Sequence, residues 1–170
     1  MKILLVFPQI QHGVTTCEDR GGWAPILFGY PAITLPHLAA LTPEGHEIEI
    51  VNENYDKLDF DSDVDLIAIT CLTMTAPRVY DIADEFRKKG KTVVIGGFHA
   101  SALPNEAKQH ADTVVVGEGD ISWPKVVRDF EKGKLKEFYY ADEEVDMKNL
   151  PHIRRDLIKH MPLAGGVQST

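Results

Sequence analysis

An α/β fold, with an open, mostly parallel sheet and helices on both faces, follows from three observations on this 170-residue chain. Short apolar, largely β-branched runs, among them KILLVF, LIAIT, TVVIGG and TVVVGEG, recur without the polar alternation of a half-exposed strand. Segments of helical periodicity separate them, and the connections are mostly short. Right-handed crossovers leave few other arrangements for five such βα units, so the predicted sheet has five strands.

Lys2 to Phe7 is continuously apolar after its lysine and stops at Pro8, as a strand buried on both faces does. From Gln9 to Tyr30 no period is sustained, and a loop this long in a compact domain is expected to cover a ligand. A short helix around Leu35 to Leu41, a stop at Gly45 and a strand over Glu47 to Val51 come next. Leu66 to Ile69 forms another buried strand, whose end, Thr70 to Thr75, is rich in hydroxyls. In APRVYDIADEFRKKG, Val79, Ile82, Ala83 and Phe86 share one helical face, and Arg-Lys-Lys-Gly complements the dipole at the end. The strand TVVIGG, a helix over Pro104 to His110, the strand TVVVGEG and a helix starting near Ser122 complete the alternation. Residues 1–133 thus make one domain, and 134–170 an extension in which LKEFYYAD stands as a lone strand.

Eighteen basic against twenty-six acidic side chains give a formal charge of −8, which opposes binding to nucleic-acid phosphates or an anionic membrane surface. The opening MKILLVFPQ is too short an apolar run for a signal peptide or a membrane span, so the expected location is the cytoplasm. There Cys17 and Cys71 are expected to be free thiols.

In a parallel sheet ligands bind beyond the carboxyl ends of the strands. None of those ends carries a G-x-G-x-x-G or P-loop phosphate fingerprint, and the chain has no G-x-S-x-G elbow and no motif that pairs carboxylates. No self-contained catalytic set results. Gly96 and Gly97 clear two side chains where one strand ends, which suits either a tight turn or close approach of a bulky ligand. A second glycine-bearing end at Gly117 and Gly119 favours the ligand, because neighbouring strands are cleared together. Glu118 between them is either a hydrogen-bond acceptor for ligand amides or a helix cap, and His99 either a ligand contact or a partner for nearby loops. Thr70, Thr73 and Thr75 offer hydroxyls at a third end, with Thr75 equally placed to cap the helix at 76. His12 and Cys17 lack a second ligand at metal-like spacing, His37 and His46 look structural, and His110, His152 and His160 have no recognisable partners.

MKILLVFP, GHEIEIVN, the run from DLIAITCLTMTAPRVY through GGFHASALPNEA to VVVGEGDISWPKVV, and LPHIRRDL together resemble the N-terminal cobalamin-binding domain of cobalamin-dependent radical S-adenosylmethionine enzymes. The resemblance implies a flavodoxin-like sheet carrying the corrin on its carboxyl edge, with the nucleotide tail dropping between strands. By position, Thr70, Thr73 and Thr75 would line the tail pocket, Gly96, Gly97 and Phe98 would clear and flank it, and Gly117, Glu118 and Gly119 would form the opposite lip. A Gly97→Val exchange is then expected to block the slot and spare the helices. PQIQHGVTTCEDRGG lacks the D-x-H-x-x-G that supplies an axial histidine in related domains, so base-off cobalamin without a protein histidine is expected, His12 being a weak candidate. The radical domain's C-x-x-x-C-x-x-C is absent as well. S-adenosylmethionine and an iron–sulfur cluster are therefore expected in a C-terminal domain outside this chain, with that domain as partner and methyl transfer or tetrapyrrole cyclisation as the whole enzyme's reaction. A cofactor-free docking module of the same fold is the competing reading.

Overall fold

The computed structural model describes residues 1–9, 33–141, 143, 145, 146, 148 and 150–160. The strands are β1 (Lys2–Phe7), β2 (Glu47–Asn52), β3 (Leu66–Thr70), β4 (Thr92–Gly96), β5 (Thr113–Val116) and β6 (Phe138–Tyr140). They form one six-stranded sheet, order β2-β1-β3-β4-β5-β6, and every neighbouring pair is parallel. The α/β architecture is as expected, with one strand more. β6 joins β5 through Val114↔Phe138, Val115↔Tyr139 and Val116↔Tyr140. The strand expected to stand alone in LKEFYYAD is thus part of the sheet, paired along the edge of β5.

The helices are α1 (Thr34–Leu41), α2 (Ala76–Lys88), α3 (Phe98–Ala102), α4 (Pro104–His110) and α5 (Gly119–Glu131). The alternate sides of the pleated strands feed two cores. Leu4, Val6, Ile67, Ile69, Val93, Ile95 and Val114 meet Val79, Ile82, Ala83 and Phe86 of α2 and Ala100 and Ala107 of α3 and α4. Ile3, Leu5, Leu66, Ala68, Val94 and Val115 meet Leu35 and Ala39 of α1 and Trp123, Val126 and Val127 of α5. Burial on both faces is what makes these strands continuous apolar runs, each fully buried large side chain contributing about 1.5–3 kcal/mol.

α5 begins three residues earlier than its sequence suggests, because Pro124 falls inside the helix and costs it one backbone bond near its start. Past β6 the chain returns along the α1 side: the Arg154 N–H donates to the Pro36 carbonyl at 3.0 Å and Leu157 packs on the α1–α5 core. Lys159 pairs with Glu49 at 2.9 Å and His160 with Asp56 at 3.1 Å. Among the described residues no helix is long and apolar enough to cross a membrane.

Chain direction along the sheet reverses at β1, with β2 on one side and β3 on the other. A bidentate Arg78–Glu53 pair, at 2.6 and 3.2 Å, pins this switch point from beside it. Glu53 also accepts the Gln9 N–H at 3.1 Å and donates its own N–H to the Phe7 carbonyl at 3.0 Å, which fixes where β1 leaves the sheet.

Candidate functional site

Strand order brings three of the expected ends together. Thr70 of β3 lies opposite Gly96 of β4, and β5, ending just before Gly117, is β4's other neighbour. His12 lies outside the described residues, as does Cys17. Beyond β3 the chain makes a single 3-10 turn, Thr73–Thr75, whose three residues differ in exposure. Thr73 and Met74 are exposed and Thr75 is buried. The Thr75 hydroxyl accepts the Leu72 N–H and donates to the Leu72 carbonyl, both at 3.1 Å. It braces the turn from within and makes no side-chain cap for α2.

The glycines do different jobs. At Gly97 φ is +106°, and a Cβ would lie 2.8 Å from the Cys71 carbonyl oxygen and 3.0 Å from the Cys71 nitrogen. The space a side chain would fill there belongs to the β3 backbone. This contact argues against the expectation that a valine at 97 would block a slot and spare the helices. Cys71 and the turn are stitched together by Cys71 N–H to Gly96 carbonyl at 2.7 Å and His99 N–H to Cys71 carbonyl at 3.1 Å. At Gly96 an added Cβ would meet only Val115 at 3.5 Å, ordinary contact. Gly117 has φ +84° with Ala141 3.2 Å from a would-be Cβ, whereas at Gly119 the nearest atom is a Leu38 methyl at 3.4 Å. Glu118 is exposed, precedes α5 and makes no side-chain cap.

Two neighbours of this edge were not legible as site residues. Ser101 Oγ accepts the Gly117 N–H at 2.9 Å and so ties β5's exit to α3. Met74, 55% exposed, follows the end of β3, and Phe98, the first residue of α3, 84% exposed, follows the end of the adjacent β4. With Tyr140 at the end of β6, 59% exposed, they put large apolar surface on the carboxyl edge of a sheet whose other large apolar groups are mostly buried. An exposed Met or Phe has no signature in sequence; strand order and turn direction decide it.

His99 is 7% exposed. Its Nδ1 lies 3.3 Å from Thr73 Oγ1 and its Nε2 3.3 Å from Glu106 Oε1. Tyr80 of α2 donates its hydroxyl to the same Glu106 oxygen at 2.9 Å and stacks on His110 at 4.2 Å, His110 in turn meeting Asp84 at 2.9 Å. The Tyr80 and then the His99 hydrogen bonds hold the Glu106 carboxyl below the usual glutamate range. Burial, aided by the Glu106 charge, pushes the Cys71 thiol up to about 12, so it is no thiolate nucleophile near neutrality. Burial likewise raises the Tyr80 phenol.

On the other face of the sheet His37 of α1 meets Asp120 of α5 at 2.5 Å, which joins the two helices beside the Gly117–Gly119 lip. One turn into α5 the Ser122 hydroxyl is buried without a hydrogen-bond partner. Among the described residues no three His, Cys, Asp or Glu gather as a metal site. The edge thus offers apolar contact, hydroxyls and backbone groups, the means of holding a broad amphipathic ligand with polar substituents.

The model of the B12 binding domain matches residues 25–127 of the chain. A bacteriochlorophyllide d C-8(2)-methyltransferase of Chlorobaculum tepidum is 48% identical over 118 residues, 69% of this chain and 25% of that protein. A bacteriochlorophyllide d C-12(1)-methyltransferase of the same organism is 39% identical over 80 residues, 47% of this chain and 18% of that protein. An uncharacterized methyltransferase of Pyrococcus horikoshii is 26% identical over 147 residues, covering 79% of this chain and 30% of that protein. The chain therefore spans between about a fifth and a third of the length of these relatives.

Proposed function

The chain belongs to the B12-binding domain family, and from that premise we propose that its carboxyl edge carries cobalamin for a methyl transfer completed by a further domain. The observation that carries the placement is the exposure of Phe98, 84%, directly after the glycine pair at the end of β4, with Met74 exposed past the end of the adjacent β3. Apolar side chains in that position suit the face of a corrin, and the Thr73 hydroxyl suits its peripheral carboxamides. The unpartnered Ser122 hydroxyl under the Gly117–Gly119 lip supports a buried polar ligand atom nearby.

In this reading Phe98 and Met74 support the corrin, Thr70, Thr73 and Gly96 line the β3–β4 side, and Gly117, Glu118 and Gly119 form the facing lip. Thr75 and Gly97 serve from behind, by holding the turn that presents Thr73. When bound, cobalamin supplies a cobalt centre able to carry and release a methyl group; the protein positions it and excludes water from one face. The absence of a D-x-H-x-x-G sequence after β1 supports a base-off cofactor without a protein histidine on cobalt.

The names of the relatives favour methyl transfer over cyclisation and a tetrapyrrole macrocycle as the substrate class of the whole protein. Their greater length supports a separate C-terminal domain for S-adenosylmethionine and an iron–sulfur cluster, whose C-x-x-x-C-x-x-C the present 170 residues lack. Such an enzyme works in the reducing cytoplasm. Mixing the purified chain with hydroxocobalamin, desalting and recording the visible spectrum tests the cofactor assignment. Corrin absorbance retained near one equivalent is expected; its loss from a chain with intact far-ultraviolet circular dichroism would leave a cofactor-free docking module.

A further inference from the structure

We propose that Glu106, acting through His99, fixes the Thr73 hydroxyl so that it presents hydrogen-bond acceptors to the cofactor edge, which makes Glu106 and His99 positioning residues for carboxamide N–H groups of the ligand. This rests on the cobalamin reading above and adds to it the polarity of one contact.

The argument begins at the far end of the chain of bonds. A carboxylate only accepts, so Glu106 Oε1, 2.9 Å from the Tyr80 hydroxyl and 3.3 Å from His99 Nε2, accepts a hydrogen bond from each. In the neutral ring the proton therefore sits on Nε2 and Nδ1 is left as an acceptor. Thr73 Oγ1, 3.3 Å from Nδ1, must then donate its hydroxyl hydrogen inward. Its lone pairs remain on the solvent side, where Thr73 is exposed at the end of β3. A hydroxyl on a free rotor would offer a donor or an acceptor indifferently; this one is committed.

The groups around the ring enforce that state. Tyr80 from α2 reaches Glu106 and is itself held by stacking on His110, which Asp84 engages at 2.9 Å. On the β3 side the His99 backbone N–H donates to the Cys71 carbonyl at 3.1 Å, which fixes the main chain from which the ring projects. Only 7% of His99 is exposed, and water does not compete freely for either nitrogen.

The relay is tested in the chain by a double-mutant cycle read through hydroxocobalamin affinity, together with nitrogen-15 spectra of the His99 ring under conditions where it is neutral. Thr73→Val, which keeps shape and removes the hydroxyl, is expected to weaken affinity by about 3- to 10-fold, the worth of one hydrogen bond. Glu106→Gln releases the tautomer and is expected to weaken affinity about 3-fold with Thr73 present and not at all beside Thr73→Val. The ring spectra should show the proton on Nε2 in the wild-type chain and a mixture in Glu106→Gln, a change that loss of packing alone would not produce. Additive losses in the cycle, or a proton on Nδ1 in the wild type, overturn the relay. A wild-type chain that retains no corrin overturns the cofactor reading itself, and this assignment with it.

Discussion

The two glycine-bearing strand ends, Gly96-Gly97 after β4 and Gly117-Glu118-Gly119 after β5, are alike in sequence and unlike in the fold. At the first, the missing side chain of Gly97 makes room for the molecule's own backbone, with Cys71 2.8 Å from a would-be Cβ. At the second, Gly117 needs its positive φ of +84°, but its neighbours are a methyl of Ala141 and, at Gly119, the tip of Leu38. A glycine pair at a strand end therefore does not by itself mark a ligand. What it clears must be asked residue by residue, and here one of the pair serves the turn while its neighbour Gly96 faces ordinary space.

Exchanging Gly97 for valine should break the first end outright. A branched side chain at φ +106° meets the Cys71 carbonyl with no flexible group to yield, so a loss of about 3 kcal/mol or more is expected. Urea unfolding would measure it. A variant that keeps the wild-type midpoint would return Gly97 to the ligand slot.

Gly117→Ala probes the second end and should cost less. The left-handed backbone and a 3.2 Å approach to Ala141 Cβ together imply about 1–2 kcal/mol, since β6's exit can shift slightly. A cost equal to that of Gly97→Val would erase the contrast between the two ends.

The smallest effects sharpen the comparison most. Gly96→Ala and Gly119→Ala should each stay within about 0.5–1 kcal/mol of the wild type, because the atoms nearest the added methyl groups are side-chain carbons at 3.5 and 3.4 Å. If either lowers hydroxocobalamin retention at an unchanged thermal midpoint, that glycine is a wall of the ligand site and the other reason for its bareness is excluded.

The strands and α2 were legible because burial on both faces of a parallel sheet forces continuous apolar runs, and an amphipathic helix must repeat near 3.6 residues. LKEFYYAD was legible as a strand but not as part of the sheet, since its pairing depends on the edge that β5 offers. The candidate site was legible as a set of strand ends, but not in the bonds its residues make. Thr70, Gly96 and Gly117 do converge. Thr75 turned inward to close on Leu72, and His99, with no partner visible in sequence, became the link between Thr73 and Glu106. His160, 104 residues from Asp56 in the chain, found its partner in the same way.

The sequence by itself determined the alternation of strand and helix, the parallel sheet and the edge at which the candidate site lies, because periodicity and turn chemistry are local properties of the chain. Which glycine makes room for the chain's own backbone, which hydroxyl faces outward and which histidine is tied to a carboxylate were decided only by tertiary structure. Those outcomes depend on groups tens of residues apart, brought to within a few ångströms by strand order, and a side chain's hydrogen bonds are settled by whatever that order places beside it.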